Sequence, residues 1–134
     1  MINGTQIVVF FLEGKRYGIE IGYVNDIYER MESIRVPNGE DYIEGIINLR
    51  GEVVTIINLK NRIKIDRKKE ETSVIICSIN RERFGLNVDD IDGIIRTEKN
   101  DEQTRTESGF IKGFIEKKDK QIIILDLNKI ITKN

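Results

Sequence analysis

The chain has 134 residues, 22 basic and 23 acidic side chains, a formal charge of −1 and 39% hydrophobic residues. It is one domain's worth of sequence, or two very small ones, and it lacks the strongly basic footprint of a nucleic-acid binder. Histidine is absent, which excludes His-based catalytic dyads, histidine metal sites and a phospho-accepting histidine, and the single cysteine excludes an internal disulfide or a cysteine-cluster zinc site.

Alanine is also absent and isoleucine supplies roughly a fifth of the residues, so a helical bundle is disfavoured and a mainly β domain favoured. The first apolar run, Ile7 to Leu12, is too short for a signal-peptide core or a membrane span. The protein is expected to be soluble and cytoplasmic, with no direct membrane insertion. Strands are expected at about 6–12, 16–21, 26–35, 43–49 and 53–58, with turns at Glu13-Gly14 and Arg50-Gly51. Tyr17, Ile19 and Ile21 alternate with polar residues, as in a half-buried strand.

A densely charged stretch, Lys60 to Thr72, follows. It carries Lys60, Arg62, Lys64, Arg67, Lys68 and Lys69, but no aromatic interleaves and Glu70-Glu71 come directly after. A solvated linker is expected there rather than a phosphate track. Further strands are expected at about 73–79, 83–88, 93–97, 110–116 and 121–127, with the polar stretch 98–109 an exposed loop. Cys77, within Val74-Ile75-Ile76-Cys77, is expected to be a small buried hydrophobe.

The second half of this series repeats the first. Residues 7–21 align with 74–88 without a gap: an apolar run, a polar turn, Arg, an aromatic, Gly, then alternating apolar residues. Val24 then faces Ile91 and Ile27 faces Ile94. Tyr42-Ile43-Glu44-Gly45-Ile46-Ile47 corresponds to Phe110-Ile111-Lys112-Gly113-Phe114-Ile115, and residues 54–59 to 122–127. The repeat predicts two similar subdomains of five strands, one at about 6–63 and one at about 73–131, joined by a crossover at 64–72. Units this small are marginal alone.

Other candidate chemistry is weak. Around Asp89-Asp90-Ile91-Asp92-Gly93 a calcium loop would need an acid at Val88 and at Lys99, so a polar turn is the better reading. Neither a G-x-G-x-x-G nor a G-K-[ST] loop is present. No carboxylate pair is marked as an acid/base pair by an apolar setting. Asn48-Leu49-Arg50-Gly51 is more specific, because it lies in a hairpin between apolar strands and arginine is a common binding anchor.

Pro37 and the run from Tyr42 through Asn48-Leu49-Arg50-Gly51 to Val54 resemble the hallmark of the CheW family, and Tyr17-Gly18-Ile19-Glu20-Ile21 with Val24-Asn25-Asp26-Ile27 resembles its earlier signature. The resemblance covers about Gln6 to Ile131, so the chain is expected to be a single CheW-like domain. It implies two five-stranded SH3-like β-barrel subdomains with short helical bends. It also implies a non-catalytic adaptor of bacterial chemotaxis, with no cofactor, that couples the regulatory domain of the histidine kinase CheA to the cytoplasmic tips of chemoreceptors. Arg50 resembles an arginine implicated in receptor and array function, and Val24 and Asp26 match positions linked to receptor binding. With Ile27 beside them, these are the expected receptor-binding residues. Kinase contacts are expected along Ile43, Gly45 and Ile47. Gly45 and Gly85 match glycines whose loss impairs the adaptor. The usual Pro-Val-Ile-Asp-Leu after the motif is Thr55-Ile56-Ile57-Asn58-Leu59 here, which removes any salt bridge of the usual Asp. The chain stops soon after Leu127, where many relatives carry a further helix. The competing expectations are a small nucleic-acid-binding β-barrel and a carboxylate-based enzyme.

Overall fold

The computed structural model describes residues 4–37, 39–98 and 101–132. In chain order they form β1 (Gln6–Leu12), β2 (Lys15–Glu20), a 3-10 turn (Ile21–Tyr23), β3 (Val24–Glu29), β4 (Ile43–Leu49), β5 (Glu52–Asn58) and α1 (Leu59–Arg62). These are followed by β6 (Ser73–Ile79), β7 (Glu82–Val88), β8 (Asp90–Arg96), β9 (Glu102–Ser108), β10 (Ile111–Lys117), β11 (Lys120–Leu125) and α2 (Leu127–Ile131). Four of the hairpins share one kind of two-residue turn: in them Leu12 faces Lys15, Leu49 faces Glu52, Ile79 faces Glu82 and Lys117 faces Lys120. Both turn residues have positive φ in every case: 50° and 82° at Glu13-Gly14, 53° and 85° at Arg50-Gly51, 52° and 69° at Asn80-Arg81, 50° and 63° at Lys118-Asp119. This is the turn geometry whose twist matches that of the flanking strands.

The strands make two sheets, ordered β8-β1-β2-β11-β10-β9 and β3-β6-β7-β5-β4. Under the sequence repeat, β3, β6, β7, β5 and β4 map onto β8, β1, β2, β11 and β10, so the two orders are the same. Each sheet nevertheless mixes the two copies. The compact units are Met1–Gly22 with Ile91–Asn134 (unit 1) and Tyr23–Asp90 (unit 2). They therefore differ from the expected subdomains at 6–63 and 73–131: the copies have exchanged their first hairpins. The parallel pairs β2–β11 and β5–β7 are where the exchanged hairpins join.

Connector length compels this exchange. β3 is antiparallel to β6, which is antiparallel to β7, so β3 runs parallel to β7. To take that arrangement with its own copy's hairpin, the chain would leave the end of β2 and return by a full strand length, roughly 20 Å. The three residues of the 3-10 turn reach about 14 Å at most, and the single residue between β7 and β8 about 7 Å.

The cores repeat in the same exchanged way. In unit 2, Ile47, Leu49, Val54, Ile56, Val74 and Ile76 pack together with Tyr28 and Met31. In unit 1, Ile7, Val9, Ile115, Ile122 and Ile124 pack together with Ile95. Ile7 and Val9 match Val74 and Ile76, and Ile115, Ile122 and Ile124 match Ile47, Val54 and Ile56. Burying each such side chain contributes about 1.5–3 kcal/mol. The helices are matched too: the Asn58 Oδ1 accepts from the Asn61 N–H at 3.0 Å and the Asp126 Oδ1 from the Lys129 N–H at 3.2 Å, so each helix starts on a capping side chain.

Two local expectations change. The stretch 98–109 is not wholly loop, because β9 pairs with β10. Gln103-Thr104-Arg105-Thr106 is polar on both faces, which hides an edge strand from any apolar pattern. The strand expected at 26–35 ends at Glu29, and Ile34 alone returns to form an antiparallel bridge with Ile46.

Candidate functional site

Three of the four receptor residues expected from sequence, Val24, Asp26 and Ile27, share β3. A bulge between Val24 and Asp26 interrupts the β3–β6 register. It leaves Asn25, Asp26 and Ile27 all exposed, with Val24 half-buried opposite Cys77. Arg50 is elsewhere, on the β4–β5 turn, and β6 and β7 lie between β3 and β5 in the hydrogen-bonded order. Arg50 is therefore not on β3; it closes the β4–β5 hairpin, with Ile43 at the other end of β4.

The Asn-Leu-Arg-Gly motif has a local explanation. The Asn48 Oδ1 accepts the Gly51 N–H at 2.9 Å, Leu49 is buried, and Gly51 takes the second positive φ of the turn. Arg50 takes the first, with its guanidinium exposed. Of the β4 residues, Ile47 is turned into the core and Ile43 is half-buried. Gly45 is a close approach: a Cβ there would lie 2.5 Å from the Ile34 carbonyl oxygen and 2.8 Å from the Ser33 Oγ. Gly85 is another, 2.5 Å from the Ile56 Cδ1. Sequence reasoning passed over Ile34 (73% exposed) and Val53 (64% exposed). Val53 was recoverable from alternation, because Val54 points inward and its neighbour must point out.

The charged stretch after β5 is not simply a solvated linker. Lys60 is fully buried. Its Nζ lies 2.9 Å from the Glu71 Oε2 and 2.7 Å from the Asp89 Oδ1, and donates to the Lys69 carbonyl oxygen at 2.7 Å. Arg67 caps the cluster, donating through Nη2 to the Glu71 Oε1 at 2.7 Å and the Glu44 Oε1 at 3.1 Å. Burial pushes the Glu71 carboxyl up, but hydrogen bonds from Arg67 and Lys60 and their charges outweigh it and hold the group below its usual range. The Arg67 guanidinium is raised chiefly by its hydrogen bond to Glu71. Asn58, where the family pattern has Asp, is 1% exposed and its Nδ2 donates to the Glu44 Oε1 and the Glu71 Oε1, both at 3.1 Å. Only an amide can cap α1 and serve two carboxylates at once.

Asp89, the single residue linking β7 to β8, joins this cluster, while Asp92 lies on β8 rather than in the turn and pairs with Arg16 at 3.0 Å. Among the described residues, no three His, Cys, Asp or Glu side chains are grouped to hold a metal. No helix among them is long and apolar enough to cross a membrane. Cys77 is buried, and burial pushes its thiol up to about 12. An open depression of about 470 Å³, lined by Arg30, Met31, Glu32, Ser33, Glu44 and Glu70, lies beside the cluster.

The sequence profile of the CheW-like domain matches residues 6–134. The chain belongs to the CheW-like family. It is 28% identical to the chemotaxis protein CheW of Bacillus subtilis, over 98% of this chain and 89% of the relative. It is 27% identical to the CheW of Thermotoga maritima, over 94% and 87%. The crystal structure of the scaffolding protein TtCheW from Thermoanaerobacter tengcongensis matches with a TM-score of 0.87 and 33% identity, covering 98% of this chain and 94% of that one. This likeness extends to the mostly β architecture with its SH3-like subdomains. Nothing in these comparisons supports the nucleic-acid-binding alternative.

Proposed function

We propose that this chain is a chemotaxis adaptor that couples a CheA-type histidine kinase to the cytoplasmic tips of chemoreceptors and performs no chemistry of its own. The observation that carries the reading is the CheW-like match across residues 6–134, within which the Asn48-capped turn holds Arg50 outward. An adaptor works through surfaces, and it passes a signal by shifting the populations of its partner's conformations. On this reading Arg50 fixes register on the receptor by directional hydrogen bonds, while Ile27, 40% exposed, and Val24 supply the apolar part beside Asp26. The kinase docks along β4. There Ile43 is half-buried, and Gly45 and Ile47 shape the strand from behind rather than touching the partner. The protein then works in the cytoplasm, at receptor arrays, through its partners.

Calorimetry with a CheA regulatory domain and a receptor-tip fragment tests this. Binding to both is expected, and absence of binding to the kinase domain at high micromolar concentration would refute the adaptor reading. Arg50→Glu is expected to weaken receptor binding at least about tenfold while leaving the melting temperature within about 2 °C, because an exposed turn residue away from the core contributes little to stability. A large drop in melting temperature would show that Arg50 is structural instead.

A further inference from the structure

Each compact unit is completed by a hairpin from the other sequence copy, and the two hairpins are near-equivalent in apolar pattern. Ile7, Val9 and Ile19 of β1–β2 match Val74, Ile76 and Leu86 of β6–β7, and all six are buried. The short connectors forbid a hairpin from completing its own copy's unit within one molecule. A second copy of the chain is under no such restraint, so hydrophobicity alone would let its β1–β2 dock on β3, β4 and β5.

Charge separates the two hairpins. Buried Lys60, on α1, is met by Glu71 at 2.9 Å and Asp89 at 2.7 Å. These carboxylates flank hairpin β6–β7, one on each side. The matched residues flanking β1–β2 are Gly4 and Gly22, and the match of Lys60 in unit 1 is Asn128, which is exposed. A second pair points the same way. Glu20, on β2, pairs with Lys112 of unit 1 at 3.3 Å, whereas the matched residues in unit 2 are Asn87 and Glu44. Hairpin β1–β2 docked on unit 2 would bury Lys60 without either flanking carboxylate and set Glu20 towards Glu44. The reverse error is opposed too. Arg83 pairs with Glu52 at 3.1 Å in unit 2, and the match of Glu52 in unit 1 is Lys120.

We propose that Lys60 with Glu71 and Asp89, supported by Glu20–Lys112 and Arg83–Glu52, is a pairing key: it admits hairpin β6–β7 to unit 2 and rejects hairpin β1–β2, including that of a second copy of the chain. A buried ammonium stripped of its partners is costly, while the satisfied cluster need add little net stability. The cluster therefore acts by raising the free energy of the wrong pairing.

The full chain tests this with composition held constant. Exchanging segments 4–22 and 71–89, which are equal in length and alike in pattern, is expected to lower the folded-to-unfolded ratio at least about 100-fold. The double substitution Lys60→Asn with Asn128→Lys in the unexchanged chain is expected to lower it comparably. Combining the two changes is expected to recover at least about tenfold over either alone, measured by chemical denaturation as a double-mutant cycle. An exchanged chain as stable as the original would overturn the proposal. So would a combination that recovers nothing, since the loss would then lie in core packing rather than in the key.

Discussion

Asn58→Asp isolates what the buried cluster demands of its neighbours. The substitution is nearly isosteric and keeps a good helix cap, so the Asn61 N–H, 3.0 Å away, retains an acceptor. It removes the two donations to Glu44 and Glu71, each 3.1 Å long, and brings a third carboxyl to within hydrogen-bonding distance of two others. Hydrogen bonds to charged acceptors are each worth about 1.5–3 kcal/mol, so losing both costs at least about 3 kcal/mol near pH 7. The new carboxyl is held above its ordinary pKa by the adjacent negative charges. Its penalty is therefore complete at pH above that raised value and shrinks as pH falls towards the ordinary one. Wild-type Glu71 is lowered from 4.5, so its contribution is intact above that pH and is lost only as pH falls through its depressed value. The gap between variant and wild type should accordingly narrow between about pH 7 and pH 5. Urea denaturation followed by circular dichroism at both pH values measures it. The matched change Asp126→Asn, at a cap without this network, is the control and should stay within about 0.5 kcal/mol of wild type. A variant within that margin at pH 7, or one more impaired at pH 5 than at pH 7, would refute the reasoning.

Gly45→Ala should cost about 2–3 kcal/mol, because its Cβ would meet backbone at 2.5 Å. Hydrogen exchange should then quicken at the Ile34 and Ile46 amides, and an unchanged exchange pattern would show that the approach relaxes freely. Arg81→Gly should stabilise the protein by about 1 kcal/mol in chemical denaturation, since Arg81 holds a φ of 69° that glycine adopts without strain. Cys77, with its thiol pushed up to about 12, should resist iodoacetamide near pH 8 in the native protein and react fully once unfolded. Native-state labelling would contradict its burial.

Local structure was legible because its causes are local. Alternation in Tyr17-Gly18-Ile19 and the Glu13-Gly14 and Arg50-Gly51 turns placed the hairpins. The repeat placed the second set, including turns such as Lys118-Asp119 that carry no glycine. The hairpin exchange was not legible from pattern, because equivalent apolar residues satisfy either partner equally well. The signal that carried it was connector length, three residues after β2 and one after β7. Lys60 was missed because a charge-rich stretch has the composition of a solvated linker, and the acids that bury it come from Glu71 and from distant Asp89. For the candidate site, the Asn48–Gly51 turn could be read directly. The separation of Arg50 from β3 could not, since it depends on which strands intervene.

The exchanged hairpins also set an order of assembly on the ribosome. Unit 2 is contiguous, Tyr23–Asp90, and can close soon after Asp90 emerges. The β1–β2 hairpin emerges first, yet its neighbour β11 ends only at Leu125. At about 5–20 residues per second, the stretch from Glu20 to Leu125 takes roughly 5–21 s, during which Ile7 and Val9 stay uncovered. The earliest strands translated are thus the last to be enclosed, and the nascent chain passes through a stage in which a finished barrel trails a sticky, unsheltered ribbon.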